Sequence, residues 1–128
     1  MSRVVLDASA ILAIIKGERG TERLTPQLLA DAVVSAVNLS EVQAKLVHAG
    51  WSPPQAWEDA TSPVREVIPF DAKQARIAGD LALHTKHLGL SLGDRACLAL
   101  GTALDAPVYT TERLWKHLKL DVGVHVIR

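Results

Sequence analysis

The chain has 128 residues, 48% of them hydrophobic and 22% charged, and its formal net charge is zero because 14 basic side chains balance 14 acidic ones. This length fits one globular domain over residues 1–128, and the balanced charge is not that of a strongly basic nucleic-acid binder, although it leaves room for local basic patches. The single cysteine, Cys97, excludes an internal disulfide and favours a reducing compartment. No apolar run approaches the ~18 residues that a membrane helix needs, and the N-terminus lacks a secretory pattern, so we expect a cytoplasmic protein.

Short apolar runs alternate with helical patterns in the first half of the chain. Gly17 and Gly50 mark helix ends, and the Pro53–Pro54 pair is tolerated in a first helical turn. The pattern predicts strands at residues 3–6 and 32–35, and helices at 8–16, 21–30, 38–48 and 53–60.

The second half continues the alternation, with Asp71 and Ser91 as predicted helix caps. Strands are predicted at 64–69, 108–110 and 124–127, and helices at 72–87, 91–103 and 111–118. Strands of three to five residues between helices of about ten favour parallel pairing through right-handed crossovers. The predicted fold class is therefore α/β, a three-layer α/β/α sandwich with a short central parallel sheet.

Four acidic residues lie where a predicted strand ends or a predicted helix begins, and all are embedded in apolar sequence: Asp7, Glu41, Asp94 and Glu112. The carboxyl ends of parallel strands open into one shared crevice, so we expect these side chains to converge there. Each also has a purely structural interpretation. Asp7 is a candidate helix cap, Asn38–Glu41 and Ser91–Asp94 match capping boxes, and Glu112 suits the helix dipole.

Taken together, the four acids favour a shared metal site, because buried carboxylates need a compensating charge. An all-oxygen ligand set suits Mg²⁺ or Mn²⁺ rather than Zn²⁺, and the five histidines form no zinc-binding pattern. Carboxylate-bound Mg²⁺ is typical of phosphoryl chemistry, in which the ion activates a water and neutralises charge on the phosphate.

Four segments of the chain resemble the signature blocks of PIN-domain ribonucleases, and more narrowly the VapC-type toxins of toxin–antitoxin pairs: VVLDASAILAII, VVSAVNLSEVQAKL, LSLGDRACLALG and VYTTERLW. The resemblance implies a PIN-like fold with Asp7, Glu41 and Asp94 as the core catalytic and metal-binding acids. Glu112 stands where the family more often has Asp, as the fourth acid. Ser9 and Thr110 resemble residues that support the acids.

The same resemblance implies a Mg²⁺- or Mn²⁺-dependent endoribonuclease that cuts structured RNA, such as tRNA or rRNA. A metal-activated water would attack the phosphodiester and leave a 5′-phosphate and a 3′-hydroxyl. It further implies a homodimer and a cognate antitoxin that blocks the acidic groove. Arg95 follows Asp94 directly, and Arg113 and Lys116 are three residues apart, so these basic residues are candidates for binding RNA phosphates.

Two other interpretations remain open at this point. A phosphoacceptor receiver domain has similar length, but it needs paired acids after the first strand and a lysine after the last, whereas Asp7 stands alone and the chain runs out at Arg128 without that lysine. A PIN-like module that binds RNA or protein with little or no cleavage is the stronger alternative, because position 112 holds the longer Glu.

Overall fold

The structure is a computed structural model that describes residues 2–128. Five short strands form one sheet in which every pairing is parallel, in the order β3-β2-β1-β4-β5. This order differs from the 2-1-3-4-5 order of receiver-type folds, which excludes the receiver interpretation. The strands are β1 (Val4–Leu6), β2 (Ala32–Ser35), β3 (Glu66–Ile68), β4 (Val108–Thr110) and β5 (Val124–Val126).

Six α-helices accompany the sheet: α1 (Ala8–Lys16), α2 (Pro26–Leu29), α3 (Ala36–His48), α4 (Pro53–Thr61), α5 (Ala72–Thr85) and α6 (Leu92–Leu104). Three segments are 3₁₀ helices instead, at Thr21–Arg23, Lys86–Leu88 and Arg113–His117. Among residues 2–128, no helix is both long and apolar enough to cross a membrane.

Two apolar clusters, one on each side of the sheet, make up the core. Alternate strand residues point to opposite faces: Val4 and Leu6 of β1 join one cluster, with α1, α3 and α4, whereas Val5 joins the other, with α6. Both faces of the central strands are thus covered by helices. The predicted three-layer α/β/α sandwich is confirmed.

The helix that follows β1 was predicted correctly from residue 8 to residue 16. Asp7 is its N-cap, since the carboxylate accepts a hydrogen bond from the Ala10 amide, and Gly17 ends it in the left-handed conformation with φ 65°. This conformation favours glycine because it has no Cβ. The cap places Asp7 at the junction of β1 and α1.

The helix predicted from Asn38 begins two residues earlier, at Ala36, so the predicted Asn38–Glu41 capping box is wrong. Ser35, the last residue of β2, caps the helix instead, because its hydroxyl accepts from the Val37 amide. Asn38 and Glu41 consequently lie inside α3, where their side chains are free to contact other elements. The Ser91–Asp94 capping box, by contrast, is present at the start of α6.

Three other predicted helices differ in length or type. The helix predicted for 21–30 is divided because Thr25 is extended before Pro26, and a residue that precedes proline disfavours the helical conformation. The helix predicted for 72–87 ends as α-helix at Thr85 and continues as a 3₁₀ turn. The helix predicted for 111–118 is a 3₁₀ helix whose N-cap, Glu112, makes no side-chain capping bond.

Candidate active site

A cleft of about 140 Å³ opens at the carboxyl end of the sheet and contains all four predicted acids in its lining. Asp7 directly follows β1 and Glu112 is two residues past β4, a strand that pairs with β1. Glu41 comes from α3 and Asp94 from the first turn of α6. The remaining lining residues are Ala8, Ser9, Asn38, Lys45 and Ser91. Two larger hollows, of about 270 and 430 Å³, lie elsewhere and are lined by none of these four acids.

Asp7 is the most buried of the four acids, with 3% of its surface exposed. Its Oδ1 accepts from the Ala10 amide at 2.8 Å, and its Oδ2 accepts from the Thr110 hydroxyl at 2.6 Å. Burial raises the pKa of Asp7 from 3.8 to about 6, against the lowering effect of these hydrogen bonds, and the negative charge of Glu112 adds to the rise. A cation in the cleft would reverse this penalty.

Ser9 and Thr110 hold the Asp7 carboxylate from two directions. The Ser9 hydroxyl donates to both oxygens of Asp7, at 2.8 and 2.9 Å, and accepts from the Thr111 amide. The Thr110 hydroxyl, which is fully buried, also accepts from the Glu112 amide at 3.0 Å. The orientation of Asp7 is therefore coupled to the backbone that carries Glu112.

The other three acids are less enclosed. Asp94 is half-buried, and its Oδ2 accepts from the Ser91 amide at 3.0 Å in the capping box. Glu41 is also half-buried, and its Oε1 accepts from Nδ2 of Asn38 at 3.0 Å. Glu112 is exposed. Asp7 and Asp94 thus make capping hydrogen bonds and also line the cleft. The structural role predicted for each does not exclude a role in the site.

Cys97, one turn after Asp94 in α6, is close enough to three of the acids for their negative charges to act on its thiol. Complete burial raises the pKa of the Cys97 thiol, and the negative charges of Asp7, Asp94 and Glu41 raise it further. The cleft is therefore a centre of negative potential. Lys45 contributes a positive charge to the cleft lining, and the helix dipoles at the N-termini of α1 and α6 also favour negative charge.

The donor set of the cleft fits a hard divalent cation, because four carboxylates offer only oxygen ligands. The carboxylates are spread around the walls: within residues 2–128, no three Asp, Glu, His or Cys side chains are close enough together to hold an ion as they stand. Asn38 also lines the cleft, and its Oδ1 is buried without a hydrogen-bond partner. Binding an ion would require rotation of some of these side chains, chiefly that of the exposed Glu112.

The basic residues predicted to contact RNA are placed differently from one another. The Arg95 guanidinium donates to the Ala78 carbonyl of α5 at 2.9 Å, and Arg95 is not part of the cleft lining. Arg113 and Lys116 are exposed on the 3₁₀ helix that follows Glu112. The cleft-lining Lys45 was missed from the sequence, although its spacing of four residues after Glu41 puts both on one face of α3.

The raised pKa of Asp7 predicts how the stability of the metal-free protein depends on pH. Between about pH 4 and pH 6 the folded state holds the Asp7 proton while the unfolded state has released it, so the free energy of unfolding should fall as pH rises through this window. The loss is on the order of 3 kcal/mol and is complete by about pH 7. Urea unfolding in EDTA at several pH values, compared between wild type and Asp7→Asn, isolates this contribution. A wild-type-minus-variant difference that is constant from pH 4 to pH 7 would contradict it.

Residues 4–119 match the family model of the PIN domain. The fold is also similar to solved toxin–antitoxin structures: a toxin–antitoxin complex from Klebsiella pneumoniae has 17% identity and a TM-score of 0.77 over 98% of each chain. VapBC2 from Rickettsia felis, bound to a promoter DNA fragment, has 19% identity and a TM-score of 0.74 over 95% of this chain and 96% of that one.

A third similar structure is VapC20 of Mycobacterium tuberculosis, described as a toxin that cleaves the sarcin–ricin loop. It has 16% identity and a TM-score of 0.72 over 94% of this chain and 98% of that one. At these identities, the likeness to solved structures concerns the fold. A comparison with curated protein sequences gives no match.

Proposed function

This chain belongs to the PIN-domain family, and from that premise we propose that it is a divalent-metal-dependent endoribonuclease and the toxin of a toxin–antitoxin pair. One observation carries the proposal: four carboxylates from distant parts of the chain line a single cleft at the carboxyl end of a parallel sheet. A structural role in capping explains Asp7 and Asp94 separately, but it does not explain why Glu41 and Glu112 share their cleft.

In this proposal, Asp7, Glu41 and Asp94 would hold Mg²⁺ or Mn²⁺, and Glu112, the most exposed of the four acids, would be a fourth ligand. When bound, such an ion neutralises charge on the scissile phosphate and lowers the pKa of an attacking water. Ser9 and Thr110 orient Asp7 through the hydrogen bonds described above and so fix one wall of the site.

The substrate is structured RNA, of the tRNA or rRNA class. Its negative backbone would be repelled by the acids themselves, so binding requires cations around the cleft. Arg113 and Lys116 are exposed just beyond Glu112 and are suited to contact phosphates that flank the cut bond. Arg95 is a weaker candidate, because its guanidinium would have to leave the Ala78 carbonyl first.

The partner is a cognate antitoxin protein. Similar structures from several bacteria are described as toxin–antitoxin complexes, and a cleft of negative potential is complementary to a basic side chain. An antitoxin that inserts such a side chain would stabilise the acids as a cation does, and it would exclude both the ion and the RNA. Addition of one antitoxin molecule per active site should therefore stop cleavage.

The test is cleavage of an end-labelled structured RNA by the purified protein with Mg²⁺ or Mn²⁺ and with EDTA. We expect metal-dependent products that carry a 5′-phosphate and a 3′-hydroxyl. Asp94→Asn should abolish them, whereas Asp80→Asn, an exposed acid on α5 outside the cleft, should not. Cleavage that persists in EDTA, or in Asp94→Asn, would contradict the proposal.

A second candidate function is RNA or protein binding with little or no cleavage. The exposed position of Glu112, whose side chain is longer than that of Asp, favours it. The same assay separates the two: RNA binding without cleavage of any RNA, and without Mn²⁺ binding, would support the binding module.

A further inference from the structure

Gly93, in the first turn of α6 beside Asp94, is buried directly against the carboxylate of Glu41. A Cβ built at Gly93 would overlap both carboxylate oxygens of Glu41. The residue is not required here for backbone conformation, because its φ lies outside the left-handed region. The missing side chain at position 93 therefore provides the space that the Glu41 carboxylate occupies.

Asn38 is hydrogen-bonded to both residues. Its Nδ2 donates both to Oε1 of Glu41, at 3.0 Å, and to the Gly93 carbonyl, also at 3.0 Å. Because both partners are acceptors, the amide group has a defined orientation and leaves Oδ1 buried without a partner. Asn38 is only 2% exposed, so the packing around it holds this orientation.

We propose that Gly93 and Asn38 together form a support that positions the Glu41 carboxylate in the cleft, and that Gly93 is glycine for this reason. The support is a feature of the metal-free protein. Its consequence for metal binding rests on the proposed function. Neither residue touches the reacting atoms, so both are positioning residues.

A change at position 93 should alter the position of the Glu41 carboxylate without unfolding the protein. The group that a methyl at position 93 would displace is the end of a flexible side chain, so α6 has no need to move. Alanine also favours the helical conformation over glycine. Gly93→Ala should therefore fold normally while its Glu41 carboxylate leaves the Asn38 amide and swings away from its place between α3 and α6.

The first experiment measures Mn²⁺ affinity by EPR for wild type, Gly93→Ala and Gly79→Ala. Gly79 is the matched control: it is a helical glycine in α5, and a Cβ there meets nothing within 4 Å. We expect Gly93→Ala to weaken Mn²⁺ binding roughly 10–100-fold, as is typical when a group that orients a ligand is lost, and Gly79→Ala to leave it unchanged. Equal affinity in all three proteins would overturn the inference while leaving the proposed function intact.

The second experiment needs no metal and compares thermal unfolding in EDTA. In a Glu41→Ala background the position-93 methyl fills vacated space, so Gly93→Ala should raise Tm by about as much as Gly79→Ala does. In the wild-type background the gain should be smaller, because the displaced carboxylate loses its Asn38 hydrogen bond. Identical Tm shifts in both backgrounds would overturn the support. If the wild type binds no Mn²⁺, the proposed function fails, and this comparison still decides on the support.

Discussion

Asp7→Asn should lower kcat/KM for RNA cleavage by more than the roughly 10–100-fold that loss of an orienting group costs, and it should make the metal-free protein more stable. Both effects arise because the substitution removes a buried negative charge that would otherwise hold the cation. The carboxylate is buried at a cost, since its pKa is raised to about 6, and a neutral amide avoids that cost at neutral pH. The expected gain in the free energy of unfolding at pH 7 is on the order of 1–3 kcal/mol.

Steady-state cleavage and urea unfolding of the same protein preparations measure the two effects. Asp71→Asn is the control for capping: Asp71 caps α5 by accepting from the Gln74 amide, as Asp7 caps α1, but it is exposed and lies outside the cleft. Asparagine is also a good N-cap, so this variant should change neither stability nor activity appreciably. An Asp7→Asn protein that still cleaves RNA would remove Asp7 from the site.

Thr110→Val should weaken Mn²⁺ binding at neutral pH by roughly 10–100-fold and shift the acid limb of the activity profile to higher pH. The Thr110 hydroxyl is the foremost group that lowers the pKa of Asp7, through a hydrogen bond of 2.6 Å. Without it the pKa of Asp7 rises further above 6. A proton then competes with the cation over a wider pH range, since a ligand carboxylate must be deprotonated to bind.

The variant should also lose about 1–3 kcal/mol of stability, because the Glu112 amide and the buried Asp7 carboxylate each lose a partner. Thr110→Ser keeps the hydroxyl and serves as the matched control, with a near-normal pH profile. Calorimetric titration with Mn²⁺ at pH 6, 7 and 8 gives the comparison. A pH profile in Thr110→Val that overlays the wild-type profile would show that this hydroxyl does not govern the protonation of Asp7.

Much of the fold could be predicted because its signals are local. The cap at Asp7 and the glycine at position 17 fix the bounds of α1, and the apolar runs before Asp7 and Thr111 mark strands β1 and β4. The start of α3 was misplaced because both Ser35 and Asn38 are good capping residues, and the end of β2 decides between them. The helix predicted for 111–118 is present over Arg113–His117, but the sequence pattern did not distinguish its 3₁₀ form from an α-helix.

For the site, parallel pairing was enough to predict that Asp7 and Glu112 would lie at one edge of the sheet, because both follow strand ends. The pairing of β1 with β4, which makes these two strand ends neighbours, was not predicted. The contact between Glu41 and Gly93 joins two helices on different segments of the chain, and no local pattern encodes it. The position of Lys45 on the same face of α3 as Glu41 is, by contrast, a local signal. Lysines on the surfaces of helices are common, so this spacing alone does not indicate a cleft residue.

Because Cys97 is completely buried, its reaction with an alkylating reagent can report on local opening of the protein. Alkylation requires a thiolate that the reagent can reach, and Cys97 is both shielded and surrounded by negative charge. Iodoacetamide should therefore modify Cys97 only when local opening exposes it, so the labelling rate measures how often the packing around this part of α6 opens. Binding of a divalent ion or an inhibitory protein in the cleft should lower this labelling rate.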